Sequence, residues 1–152
     1  MEKKLDSLLN ANTIKIFDNS AQRISWKDAV KMCLEPLLEN GSIEKRYIDA
    51  VISTVEKTGP YINLGNSIAL PHSRPENGVL KIGMTLLKLS EPVDIQDSDH
   101  RAQLFFGLAA TDNNSHLDAL AALSNTLMNQ SKVDKLKTAE NVEEIIKIIF
   151  HE

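Results

Sequence analysis

Two of the four histidines in this chain stand where chemistry could be done. His72 lies in Leu70-Pro71-His72-Ser73-Arg74-Pro75-Glu76-Asn77-Gly78. Pro71 and Pro75 fix their own φ and push the residues before them toward extended backbone, so neither flank of His72 is expected to wind into helix. The imidazole is therefore expected on a loop held at both ends. An unprotonated imidazole is a nucleophile at neutral pH, and Arg74 presents a planar fork of donors suited to phosphate. The pairing points to chemistry on an anion, against the plainer alternative of a surface loop histidine that does nothing.

His116 follows Thr111-Asp112-Asn113-Asn114-Ser115, a cluster of helix-cap formers, and is expected in the first turn of a helix. Unpaired backbone N–H groups and the helix dipole make that turn a natural anion site, where His116 could donate a hydrogen bond to a phosphoryl group carried elsewhere. Taken singly, a surface residue beside an N-cap is the plainer reading. It loses ground because ligand sites in open α/β sheets lie beyond the carboxyl ends of strands, and the strands expected before His72 and before His116 both end there. Two other reactive groups read as bland: His100 sits in an acidic polar loop, solvated, and Cys33 falls in an apolar helical stripe as a packed, inert thiol.

The elements that must position these residues follow from periodicity. Residues 13–17 alternate as a half-buried strand. Ser25 and Asp28 resemble a capping box, and Trp26, Ala29, Val30, Cys33, Leu34, Leu37 and Leu38 recur at helical spacing up to Gly41, with Pro36 expected to loosen the last turns. Ser42 is expected to open a second helix with Tyr47, Ile48, Val51, Ile52 and Val55 buried, stopped by Gly59-Pro60. Tyr61 to Leu64 and Ser67 to Leu70 read as short extended segments. Leu80 to Leu89 reads as a strand ended by Glu91-Pro92, Val93 to Ile95 as a brief one, and residues 97–100 as a turn. The apolar run from Arg101 to Ala110 suits a central strand buried on both faces. A helix with Leu117, Leu120, Ala121, Ser124, Leu127 and Met128 along one side follows, then a short charged segment and a final amphipathic helix from Asn141 to Phe150. The expected fold is α/β, a mixed sheet of about five strands with helices on both faces.

At 152 residues and 42% hydrophobic, residues 1–152 are expected to form one domain. A net charge of −4 with scattered Lys and Arg argues against nucleic acid or an anionic membrane surface as the main partner. One cysteine excludes an internal disulfide, and with no secretory signal or long apolar run the chain reads as cytoplasmic.

The stretch Ile68 to Val79, then Leu89-Ser90-Glu91-Pro92-Val93, then Asn113-Asn114-Ser115-His116-Leu117 with Leu120 and Leu123-Ser124, resembles the EIIA component of the bacterial phosphoenolpyruvate-dependent sugar phosphotransferase system, mannitol and fructose type (type 2). The arginine and proline after His72 are most similar to its ascorbate branch. The likeness implies that His72 takes a phosphoryl group on Nε2 from the carrier HPr and passes it to a cysteine of an EIIB component. It also implies that His116 hydrogen-bonds the phosphoryl group. Mannitol-type members carry an arginine upstream of the loop, and Arg74, Lys57 or Arg46 are the candidates here for the charge-neutralising group. No cofactor or metal is implied.

Such a site performs reversible in-line phosphoryl transfer, lacks a general base able to activate water, and needs an exposed, largely apolar rim for its partners. A regulatory EIIA-like protein acting through phosphorylation-dependent protein binding is the alternative. A metal-dependent hydrolase built on His72 and His116 lacks a third ligand at a recognisable spacing.

Overall fold

The computed structural model describes Leu5 and residues 7–151. Residues 1–12, polar in sequence apart from Leu5, Leu8 and Leu9 and readable as either a short helix or a mobile start, lie partly outside the described residues, at 1–4 and 6. Leu5, Leu8 and Leu9 are buried, which ties this start to the core.

Five strands form one sheet in the order β1-β4-β5-β3-β2. They are β1 (Ile14–Phe17), β2 (Asn63–Gly65), β3 (Ile68–Ala69), β4 (Gly83–Ile95) and β5 (Asp97–Ala109). β1 is parallel to β4 and β3 is parallel to β5, while the β4–β5 and β2–β3 pairs are antiparallel. The sheet is therefore mixed, with the run expected to be central at its centre.

From Leu104 to Ala109 the side chains of β5 alternate between two cores, as strand geometry requires. Leu104, Phe106 and Leu108 join one with the helices α3 (Asn113–Leu127), α4 (Gln130–Thr138) and α5 (Val142–His151). Ala102, Phe105 and Ala109 join the other, under α1 (Trp26–Glu39) and α2 (Lys45–Thr58). Both faces are covered, which is why an apolar residue is affordable at nearly every position from Ala102 to Ala109.

Several expectations are corrected. Strand β4 does not stop at Glu91-Pro92 and residues 97–100 are not a turn. The chain continues extended to Ile95, reverses at Gln96 with φ 72°, and returns as β5. Pro92 is tolerated because the pairing register shifts between Lys88 and Val93, where no ladder donor is required. The strand expected from Leu80 begins instead at Gly83, leaving Leu80 and Ile82 exposed.

Helix α1 has the anticipated capping box, with Asp28 N bonded to Ser25 Oγ at 3.1 Å, and runs through Pro36. Helix α2 opens at Glu44 rather than Ser42; Ser42 is buried, its hydroxyl donating to Asn40 Oδ1 at 2.6 Å and its carbonyl accepting from Leu80 N. In α3 the buried side carries Ala119, Ala122, Leu123 and Thr126, whereas Leu117 and Met128 are exposed. Two of these buried positions are small alanines, which a search for large apolar residues overlooks.

Candidate functional site

Because β3 and β5 run parallel, with Ile68 opposite Leu104 and Ala69 opposite Phe105, both strands deliver the chain to the same end of the sheet. The His72 loop leaves β3 there, and α3 leaves β5 there. A sequence separation of more than forty residues is thus closed by topology alone, at the carboxyl ends of strands.

The loop is pinned at consecutive backbone positions. Leu70 N donates to Ile62 O at 2.7 Å, and Leu108 N donates to Pro71 O at 3.0 Å. The Tyr61 hydroxyl donates to His72 O. The Tyr47 hydroxyl accepts from Ser73 N at 2.8 Å and reaches Leu108 O at 2.7 Å. Beyond His72 the chain does wind, contrary to expectation, into a short 3-10 helix (Pro75–Asn77) for which Pro75 supplies a pre-set first residue. Gly78, with φ 125°, lets the loop return against α2, and its carbonyl accepts from Glu44 N at 2.8 Å.

Within this frame His72 Nδ1 lies 2.6 Å from Leu70 O. A carbonyl oxygen only accepts, so in the neutral ring Nδ1 carries the proton and the lone pair resides on Nε2. The ring of Tyr61 meets it edge-on at 5.2 Å between centroids, and that of His116 lies at 5.5 Å with the planes tilted by 41°. Burial holds the His72 imidazole below the ordinary histidine range. The Leu70 carbonyl opposes that shift and His116 adds to it.

A cavity of about 240 Å³ opens over these rings, lined by His72, Ser73, Arg74, Pro75, Ala110, Asp112, Asn113 and His116. All three site residues expected from sequence line it. Of the candidate cations, Arg74 is the one brought to the cavity. Arg46 is committed elsewhere, donating to Glu44 Oε1 at 2.9 Å and to Glu76 O at 2.9 Å, where it staples the loop to α2. Lys57 lies in the last turn of α2 and does not line the cavity.

The carboxylate at the cavity is Asp112, not Glu76. It is the N-cap of α3, accepting from Ser115 N at 2.7 Å, and the Ser115 backbone and hydroxyl hold its carboxyl below the usual range. So lowered, it is a poor base toward water. Asp112 was visible in the sequence as one of the cap formers, but its approach to the cavity depends on where α3 begins. Tyr47 and Tyr61 were read only as parts of apolar segments; their hydroxyl contacts had no signature in spacing.

A larger depression of about 560 Å³ lies at the opposite end of the sheet, between Asn19–Trp26 and the β4–β5 hairpin. It contains no histidine, and the chemistry favours the smaller one. His100 is at the hairpin, exposed, with Nδ1 2.6 Å from Asp97 Oδ1. Cys33 is buried against Thr85, its thiol pushed up to about 12 by desolvation. Among the described residues, no group of three or more His, Cys, Asp or Glu could hold a metal ion, and no helix is long and apolar enough to cross a membrane.

A mixed α/β sheet with two histidines over the ends of a parallel strand pair defines the class of protein. The family model described as "Phosphoenolpyruvate-dependent sugar phosphotransferase system, EIIA 2" matches residues 7–152, and the chain belongs to that family. Among its relatives, a mannitol-specific cryptic phosphotransferase enzyme IIA component of Escherichia coli K12 is 36% identical over 124 residues, covering 82% of this chain and 84% of the relative. An ascorbate-specific EIIA component of Salmonella choleraesuis is 30% identical over 149 residues, covering 97% and 95%.

The solution structure of a mannitol-specific cryptic enzyme IIA from Escherichia coli superposes with TM-score 0.87 at 31% identity, over 97% of this chain and 99% of that one. A chain of a complex of enzyme IIAMTL and phosphorylated enzyme IIBMTL from Escherichia coli superposes with TM-score 0.78 at 27% identity, over 95% of this chain and 100% of that one.

Proposed function

We propose that this chain is a cytoplasmic phosphocarrier, acting as one domain, that accepts a phosphoryl group from phospho-HPr on Nε2 of His72 and passes it to a cysteine of an EIIB component. The observation that carries this reading is the ring pair at 5.5 Å over an open cavity with Nδ1 of His72 engaged by Leu70 O, which leaves Nε2 as the free nucleophile.

In the first step the Nε2 lone pair forms a bond to phosphorus as the bond to the donor imidazole breaks, and the electron pair returns to the donor nitrogen. In the second a thiolate sulfur attacks phosphorus, the N–P bond breaks, and His72 recovers its lone pair. His116 hydrogen-bonds the transferring oxygens, and Arg74 balances their charge with its guanidinium. The exposed Leu117 beside His116, with Leu80 and Ile82 at the same end of the sheet, supplies apolar surface for two successive protein partners. Arg74-Pro75 and the ascorbate-specific relatives favour an ascorbate-type carbohydrate as the solute eventually phosphorylated.

Incubation with phosphoenolpyruvate, enzyme I and HPr tests the proposal. Acid-labile phosphate should appear on the wild-type chain and vanish in His72→Ala. His116→Ala should still be labelled, with onward transfer to EIIB slowed by about a hundredfold. Undiminished labelling of His72→Ala would overturn the assignment.

A further inference from the structure

Tyr61 has a double relation to His72 that the transfer chemistry does not require. Its hydroxyl donates to the carbonyl of His72 itself, and its ring edge stands against the imidazole, with centroids 5.2 Å apart and planes at 72°. On the next residue Tyr47 holds Ser73 N. Tyr47 and Tyr61 therefore hold the N–H and the C=O of one peptide unit, that between His72 and Ser73, and Tyr61 is the one of the two whose ring also meets the imidazole. The bond from His72 Nδ1 to Leu70 O closes only if the two peptide units between them are oriented to turn that carbonyl back under the ring. Of these the Pro71–His72 unit is held by Leu108 N on Pro71 O, and the flanking units by Leu70 N on Ile62 O, immediately after Tyr61 in the chain, and by the Tyr61 hydroxyl on His72 O.

We infer that Tyr61 is a positioning residue for phosphoryl transfer: it fixes the backbone and ring of His72 so that Nδ1 stays the protonated nitrogen and Nε2 is presented to the donor. Desolvation raises the Tyr61 phenol to about 12, so the hydroxyl keeps its proton and donates throughout the working range. Its ring walls one side of the imidazole and His116 stands at 5.5 Å. The acceptor ring is thereby held before a donor arrives, and pre-set orientation is worth most when the nucleophile has a second nitrogen that could carry the proton instead. This inference rests on the proposed role of His72.

Tyr61→Phe removes one oxygen and keeps the wall; Tyr61→Ala removes both. In ¹⁵N spectra of the histidine rings, wild-type His72 should show the Nδ1–H tautomer alone. Tyr61→Phe should show a mixture of tautomers, and its rate of phosphoryl acquisition from phospho-HPr should fall by roughly three- to tenfold, the range expected for one hydrogen bond. The KM for phospho-HPr should stay unchanged. Tyr61→Ala should lose more rate. Thermal unfolding of each variant separates a loosened ring from a loosened fold, since Tyr61→Phe is expected to melt only slightly below the wild type, by the loss of one hydrogen bond. A Tyr61→Phe protein with the wild-type tautomer and rate would overturn the inference. Wild-type protein that takes no phosphate while its His72 tautomer still responds to Tyr61 would instead remove the proposed function and leave the positioning intact.

Discussion

His72 combines a free Nε2 with an imidazole whose protonation burial disfavours, and both properties serve an acceptor. As pH falls through the ordinary histidine value of 6.5, a solvated imidazole begins to lose its lone pair to a proton, whereas His72 retains it until a lower pH. The rate of phosphoryl acquisition, measured with the donor held in excess, should therefore stay level through that range and decline only below it. The same shift acts on stability with a definite sign. Above 6.5 the histidine is neutral in both folded and unfolded chains and contributes nothing. As pH falls below that value the unfolded chain binds a proton that folded His72 does not, so this residue lowers stability on acidification, and His72→Gln should weaken that part of the acid dependence in urea titrations. The candidate residues themselves were readable from sequence because prolines around a histidine and cap formers before another are local signals. The nitrogen that carries the proton was not, since it depends on a carbonyl orientation set by Tyr61 and the loop pins.

At the scale of elements, the start of α3 does two things at once. Asp112 caps the helix and lines the cavity, so the negative charge that stabilises the helix also faces the space where the proposed transfer would place a phosphoryl group. Asp112→Asn keeps an equally good cap and removes the charge, so stability should hardly change while the phosphorylated form becomes longer-lived toward transfer. Asp112→Ala should lower the midpoint of chemical denaturation through the lost cap. Element reading from sequence succeeded where one period or one apolar run dominated, as in α1, the body of α2 and the part of β5 from Arg101 onward. It failed along the β4–β5 hairpin, where Pro92 of β4 and polar residues 97–100 of β5 look like breaks but lie in the exposed part of a hairpin that pairs mainly with itself. It also failed on the face of α3, where Ala119 and Ala122 are buried and Leu117 is exposed, because the large side chain was taken as the mark of the inner face.

The molecule as a whole is a sheet between two cores, and close approach of α1 to β5 sets the position of everything at the site end. Gly107 marks that contact: a Cβ there would lie 2.4 Å from Thr85 Oγ1 and 2.8 Å from Leu34 Cδ2. Gly107→Ala should cost about 1–3 kcal/mol by overpacking, read as a lower urea midpoint with the slope unchanged. Parallel pairing of β3 with β5 is the feature that turns two distant histidines into one pocket, and it could be anticipated only as a rule about strand ends. The most direct test is ³¹P–¹⁵N spectroscopy of the ring-labelled protein after phosphorylation by phosphoenolpyruvate, enzyme I and HPr. The phosphorus should couple to Nε2 of His72 alone, with Nδ1 still protonated against Leu70 O. Phosphorus bonded to Nδ1, or to His116, would contradict the account.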